Sequence, residues 1–406
     1  MPLPTAQAVL GTPSARIRRV AGCMTGTSLD GIDCALIEVA GTGLATKPRF
    51  IRGRSTSLGD LAPRLRALAE QKPMTAGDIA KLSRDFALLH AREISTLLGN
   101  EECDLIAVHG QTVFHAPPVS WQVFNPAVLA HETGIDVVCD LRAADLAAGG
   151  QGAPITPLAD WVWLRSVSER RVILNLGGFA NATILPRDTG PESIAQIRGM
   201  DICACNHILD GVARVALNKP YDKDGAAAAA GTISTSARDE LLVILSRQAA
   251  GGRSLGTGDE VLSAGGWIER HKVRLQPRDL CATACAAVGG AIGQSLAEFA
   301  RSPSGAISRV LLAGGGGANR TLHRAITESL SAANPAVRVE ATDAHGLPGA
   351  FREAAEMAVL GALCQDRVPI TLPAVTGVMG EASPAPIAGV WAMWSRGGPT
   401  GSAGFR

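Results

Sequence analysis

A polar, glycine-bearing turn set between two apolar runs most constrains how this chain can fold. Val20-Ala21 leads into Gly22-Cys23-Met24-Thr25-Gly26-Thr27-Ser28-Leu29-Asp30-Gly31-Ile32-Asp33, and Ala35-Leu36-Ile37-Glu38-Val39 follows. The pattern predicts a β-hairpin over 17–40 whose tip carries hydroxyls, glycines and a carboxylate. Glycines let backbone approach a bulky ligand, and N–H and hydroxyl groups suit an oxyanion such as a terminal phosphate. Asp30 would hold the accompanying Mg²⁺ through water, since hard cations take oxygen ligands. Taken alone, the same string also fits an ordinary turn rich in turn formers.

The arrangement recurs. Arg171-Val172-Ile173-Leu174-Asn175-Leu176 reads as a strand, Gly177-Gly178-Phe179-Ala180-Asn181 as a turn, and Ala182-Thr183-Ile184-Leu185 as the return strand. Val310-Leu311-Leu312-Ala313 is followed by Gly314-Gly315-Gly316-Gly317-Ala318-Asn319 and a helical pattern from Thr321. Strand, glycine loop and helix N-terminus form an anion-binding arrangement. Without Rossmann spacing or a Walker lysine, that run by itself reads equally as a flexible turn. Asp104–Val108 delivers His109-Gly110-Gln111-Thr112, and Ile135–Asp140 ends in Leu141-Arg142. Both lie at C-terminal strand ends, where open α/β sheets place ligands. Residues 59–99 have helical spacing, and Ala147–Pro154 is glycine-rich enough to read as a functional loop.

Three such turns in one chain predict an α/β fold of two related lobes. The type is that of actin, sugar kinases and heat-shock ATPases (RNase H-like), with an interlobe ATP cleft. Gly26, Thr27, Ser28, Gly177 and Gly178 would hold the phosphates, and Gly314, Gly315 and Gly316 the adenosine. The expected organisation is a tail over 1–15, a first lobe over 16–140 with part of 349–406, and a second lobe over 141–348.

With 406 residues the chain has room for two large cores. Apolar residues at 46 % and charged residues at 18 % disfavour disorder over most of the length. Only 4 % aromatics and a net charge of +1 argue against a nucleic-acid platform or an acidic-lipid surface. No run approaching the roughly 18 uncharged apolar residues of a membrane span is expected, and the N-terminal order of residues is not that of a signal peptide. The nine cysteines lack framework spacing and sit among apolar neighbours, so reduced, buried thiols in a cytoplasmic protein are expected. Cys203-Ala204-Cys205 and the Cys281/Cys285 pair do not make a zinc site.

The motifs resemble those of the anhydro-N-acetylmuramic acid kinases over roughly 20–392. Matching segments are Met24–Asp33, His109-Gly110-Gln111-Thr112, Asn125-Pro126-Ala127, Asp145–Pro154, Asn175–Asn181, Asp222-Lys223-Asp224-Gly225 and Thr376-Gly377. The resemblance implies ATP- and Mg²⁺-dependent conversion of 1,6-anhydro-N-acetylmuramic acid to the 6-phosphate, with the C1–C6 bridge hydrolysed in the same event. It belongs to recycling of cell-wall fragments, and family members commonly pair into homodimers. A water attacking C1 needs a general base, a role the resemblance gives to Asp201. It gives sugar contacts to Glu353, with His109, Arg142 and Asn206 as further substrate-binding candidates. Read without the resemblance, Asp201 is a cap and Glu353 a solvated helix position. His109 is then an acid, a sugar ligand, a metal ligand or a turn-fixing histidine, and Arg142 an ion-pair partner of Asp140 or Asp145.

This chain also departs from the family pattern. Ile202-Cys203-Ala204-Cys205 replaces a Gly-Pro-Gly turn, so any position there needing positive φ should be strained or rearranged. Phe124 replaces a glycine and is expected to fill space near the sugar. An arginine-rich run is reduced to Arg142-Ala143-Ala144, and Glu356-Met357-Ala358-Val359 replaces Ala-Phe-Ala-Trp. The alternatives are a kinase of another 1,6-anhydrosugar such as levoglucosan, or a weakened sugar-sensing homologue.

Overall fold

The computed structural model describes residues 17–26, 29, 31–249, 266–301, 306–378 and 393–395. They fall into two compact units, one within 1–164, 190–197 and 346–406, the other within 165–189 and 198–345.

In the first unit, β1 (Arg18–Thr25), β2 (Gly31–Ala40) and β3 (Lys47–Ser57) form an antiparallel meander. β4 (Leu105–Val108) pairs with β1 in parallel. All four residues of β4 are buried, as an uninterrupted apolar run in a covered parallel sheet requires. β5 (Gln111–Ala116) and β6 (Val119–Val123) make a separate hairpin, and β7 (Val137–Cys139) adds to β4 in parallel. The helix Ala76–Leu98 starts at Thr75, whose side chain accepts from Asp78 N–H. Its face of Leu82, Phe86 and Ile94 closes a core with Leu36 and Ile106. The helix Arg352–Gln365 lies on β1 because residue 22 is glycine: a Cβ there would stand 2.0 Å from the Ala354 carbonyl oxygen.

The second unit repeats the plan. β8 (Arg170–Leu176), β9 (Phe179–Leu185) and β10 (Arg198–Ala204) form a meander, then β11 (Ile307–Ala313) and β12 (Arg338–Ala341) extend it from β8 in parallel. The strand orders are β3-β2-β1-β4-β7 and β10-β9-β8-β11-β12, and β13 (Met393–Ser395) adds antiparallel to β7. Two copies of one sheet plan are the related lobes of the actin-like ATPase type.

Two expectations are corrected. The helix segment Pro277–Ala300 is long and apolar enough to cross a membrane, and 72 % of its most apolar window is buried inside the protein. Leu280, Val288, Ile292 and Leu296 sit in the core of the second unit, where a helix apolar all round is as well placed as in lipid. The expected lobe boundary at 140 also moves, to 164. Two buried carboxylates hold 141–164 in the first unit: Asp145 accepts from Thr376 Oγ1 at 2.8 Å, and Asp160 pairs with Arg352.

All nine cysteines are free thiols, eight of them buried. Among the described residues no group of three or more His, Cys, Asp or Glu could hold a metal ion.

Candidate active site

At the tip of the first hairpin, Leu29 N–H donates to Gly26 O at 3.2 Å, with Leu29 at φ 59°. Thr27, Ser28 and Asp30 lie outside the described residues.

Where β4 ends, His109 N–H donates to Cys23 O and the side chain is buried. Its Nδ1 is 2.9 Å from Gly110 O, and its Nε2 is 2.9 Å from Arg142 Nε. Arginine only donates, so Nε2 must present its lone pair and Nδ1 must carry the proton. Burial, then the Arg142 charge, lowers the His109 pKa to about 3. The ring is therefore neutral near pH 7, with both nitrogens engaged. Both ring nitrogens are thus taken by protein partners, with Arg142 on Nε2.

Arg142 also donates from Nη1 to Gly152 O at 2.5 Å. Burial lowers its pKa to about 10, against the opposing pull of Glu353 and Asp145. The alternative ion pair with Asp140 or Asp145 gives way to hydrogen bonds with two neutral acceptors. Glu353, half-buried in the first turn of Arg352–Gln365, acts on Arg142 through its charge. The first unit thus gathers His109, Arg142 and Glu353. Phe124 does not join them: its ring meets His90 at 5.0 Å and Phe86 at 6.2 Å, against the helix Ala76–Leu98. A large ring finds more contact in that core than at a polar strand end.

His90 is fully buried, and burial lowers its pKa to about 4. Both His90 and His109 stay neutral in the folded protein until pH 4 or below, whereas unfolded imidazoles protonate near about 6.5. The unfolded chain binds more protons between those values, so stability should fall as pH drops from about 6.5 toward 4. Urea midpoints at pH 7 and pH 5 check this. His90→Met should lose part of the difference.

In the second unit the two glycine turns are braced against each other. Cys205 N–H donates to Gly178 O at 2.8 Å, Asn206 N–H to Gly177 O at 3.0 Å, and Asn206 Nδ2 to Leu176 O at 3.0 Å. Gly314 has φ +79°, and a Cβ there would be 2.7 Å from Asn175 Oδ1. Beside Gly315 the nearest atom to such a Cβ is 3.9 Å away, and beside Gly317 there is open space. A cavity of about 420 Å³ opens there, lined by Asn206, Tyr221, Asp222, Gly315, Gly316 and Asn319. Asn206, expected among the sugar contacts, is placed between the glycine turns. Tyr221, Cys281 and Cys285 also line the cavity and carried no motif that would have marked them. Asp222 caps the next helix through Ala227 N–H and Ala228 N–H, both at 2.9 Å.

Asp201 lies half-buried on β10 opposite Asn181, just before a register shift between Asp201 and Cys203. The expected strain after it is not found. Ile202, Cys203 and Ala204 continue the strand, and with Cys205 they are fully buried. None of these residues has positive φ. Side chains that enter the core replace a glycine turn without demanding its backbone.

A family model described as anhydro-N-acetylmuramic acid kinase matches residues 18–387. The chain belongs to the anhydro-N-acetylmuramic acid kinase family. The relative from Salinibacter ruber, named anhydro-N-acetylmuramic acid kinase, is 33 % identical over 384 residues, covering 89 % of this chain and 93 % of its own. The namesake from Synechococcus elongatus is 34 % identical over 379 residues, covering 90 % and 97 %. Among solved structures, the activator of the 2-hydroxyisocaproyl-CoA dehydratase from Clostridium difficile, with bound ADPNP, has a TM-score of 0.40 at 14 % identity, covering 85 % of this chain and 95 % of that one.

Proposed function

We propose that this chain is an ATP-dependent anhydro-N-acetylmuramic acid kinase that transfers the γ-phosphoryl of ATP to O6 while water opens the anhydro bridge at C1. The balance is ATP, anhydrosugar and water in, ADP and N-acetylmuramic acid 6-phosphate out. The observation that carries this reading is family membership across residues 18–387. The site motifs support it, because they stand at strand ends and glycine turns suited to the roles required.

In this reading Asp201 takes the proton from the attacking water. Glu353 and Arg142 contact the sugar, with His109 fixing Arg142. Gly26, Thr27, Ser28, Gly177 and Gly178 are assigned to the phosphates, where preorganised donors do mainly electrostatic work. Gly314, Gly315 and Gly316 with the adjoining cavity take the adenosine, and Asn206 braces the turns around it. Asp30, outside the described residues, would hold the Mg²⁺ that accompanies ATP, and the ion would offset charge on the phosphoryl oxygens. Buried free thiols support a cytoplasmic location.

Two observations favour the muramic substrate over a neutral anhydrosugar such as levoglucosan. Arg142 offers a positive charge to a carboxylate, and the partly buried Phe124 turns its ring toward His90 and Phe86. ADP release with a panel of 1,6-anhydrosugars, with and without Mg²⁺, tests the reading. Levoglucosan as the better acceptor would overturn it.

Gly315 gives a second test. Leucine there would occupy the open space, and overpacking of this kind costs about 1–3 kcal/mol. The KM for ATP should rise about tenfold or more, with the acceptor KM within twofold of wild type. Equal changes in both would remove the adenosine from this turn.

A further inference from the structure

Asp145 is fully buried, and both of its carboxylate oxygens are engaged. Oδ1 accepts from Thr376 Oγ1 at 2.8 Å, and Oδ2 accepts from Gly152 N–H at 2.7 Å. Its own carbonyl accepts from Gly150 N–H at 2.9 Å, and Gln151 N–H donates to Thr376 O at 2.8 Å. The segment Gly149-Gly150-Gln151-Gly152 is thus wrapped around one carboxylate. Glycine is needed at 150 because a Cβ would stand 2.2 Å from Asp145 Oδ2. Gly152 adopts φ +65°, which leaves its N–H facing Asp145 and its carbonyl on Arg142 Nη1 at 2.5 Å. Arg142 Nε then meets His109 Nε2. A continuous path runs from Thr376, near the end of the described chain, to the guanidinium.

We infer that Asp145 is a positioning residue for Arg142, acting through the two faces of the Gly152 backbone, with Thr376 fixing Asp145 in turn. It rests on the assignment of Arg142 to the acceptor. The glycine-rich loop is then a bracket rather than a ligand cradle. A bracket matters because a displacement of about 1 Å in a binding group can cost on the order of 10²-fold in rate. The Asp145 charge beside Arg142 adds a second effect, since it helps to keep the buried guanidinium charged.

The test uses the full chain with three variants and two readouts. Asp145→Ala removes the bracket, and Asp145→Asn keeps an acceptor for Gly152 N–H. Thr376→Val deletes the hydroxyl that donates to Oδ1, whose other contact is the longer 3.3 Å one to Leu372 O. The first readout is the His109 Nε2 ¹⁵N shift in protein labelled with ¹⁵N-histidine, which reports the Arg142 hydrogen bond without any ligand. The second is binding and KM for 1,6-anhydro-N-acetylmuramic acid, beside KM for ATP. Asp145→Ala should shift the His109 signal and raise the acceptor KM about 10–100-fold, with the ATP KM within twofold. Asp145→Asn should recover most of the loss, and Thr376→Val should raise the acceptor KM about three- to tenfold. Should Asp145→Ala not fold, Thr376→Val decides. An unmoved His109 signal or an acceptor KM within twofold of wild type in that variant overturns the inference. Arg142→Ala keeps the two questions apart: if it leaves acceptor binding unchanged, the assignment of Arg142 to the sugar fails, whatever the His109 signal shows about the bracket.

Discussion

Asp201→Asn is expected to lower kcat by about 10²–10⁴-fold, the usual cost of losing a general base. Asparagine keeps the size and the hydrogen-bonding outline of aspartate but takes no proton from water. Binding of ATP, assigned to the glycine turns, should survive, so a nucleotide titration should give a near-normal Kd in a protein that scarcely turns over. Asp201 sits on a paired strand beside a register shift, and asparagine disturbs neither the pairing nor the fully buried residues 202–205 that follow. Reaction in ¹⁸O-labelled water should place label at C1 of the product, because water and not phosphate attacks that carbon. A competing view makes Asp201 a structural polar residue within β10, for which asparagine serves as well. Near-normal turnover in the variant would favour that view and pass the base role to Glu353.

Arg352→Ala should produce the largest loss of stability. Arg352 and Asp160 are almost wholly buried, and the guanidinium meets the carboxylate through both Nη2 and Nε at 2.6–3.1 Å. Glu356 is also fully buried, with its Oε1 2.7 Å from Arg352 Nε, yet neither of its oxygens has an aligned hydrogen-bond partner. Burial drives the Glu356 pKa well above the ordinary carboxylate range, outweighing the pull of Arg352. Glu356 is therefore held protonated beside Asp160 and Arg352. Burial works against the charge on Arg352, yet its pKa is raised, with Asp160 the largest opposing contribution. Removing one member of a buried pair strands the other, at a cost of about 3–5 kcal/mol. At about 2–4 °C per kcal/mol for a unit of this size, Tm should drop by roughly 6–20 °C. Replacing Arg352, Asp160 and Glu356 together by apolar residues should recover most of that loss, since well-packed apolar groups often match a buried ion pair. A Tm within 2 °C of wild type for Arg352→Ala would show that the pair contributes little.

The cost has a functional side. Arg352 precedes Glu353, and the Asp160 contact holds the first turn of that helix in the first unit. A loosened turn should raise the acceptor KM of whatever Arg352→Ala protein remains folded, measured well below its Tm.

Local periodicity and glycine placement made much of this protein legible in one dimension. The short apolar runs 105–108, 171–176 and 310–313 are strands, and the two leucine-rich stretches between 59 and 99 are helices. The three glycine turns stand at strand ends, where glycine suits the positive φ of Gly314. The family was legible for the same reason: its motifs are contiguous strings. Reduced thiols followed from apolar neighbours in the sequence. What only the tertiary structure decided depends on partners far apart along the chain. Asp160 and Arg352, 192 positions apart, tie 141–164 to the first unit. His109 carried four readings in the sequence, and the partner of its Nε2, Arg142, lies 33 positions on. Phe124 and residues 202–205 looked like intrusions on a site because their strings differ from the family pattern, and the core absorbed them. The apolar helix 277–300 needed its neighbours before lipid and protein interior could be told apart. Strand and helix periods are set by the nearest residues on the chain, whereas the state of a buried charge, ring or imidazole is set by what folding brings against it.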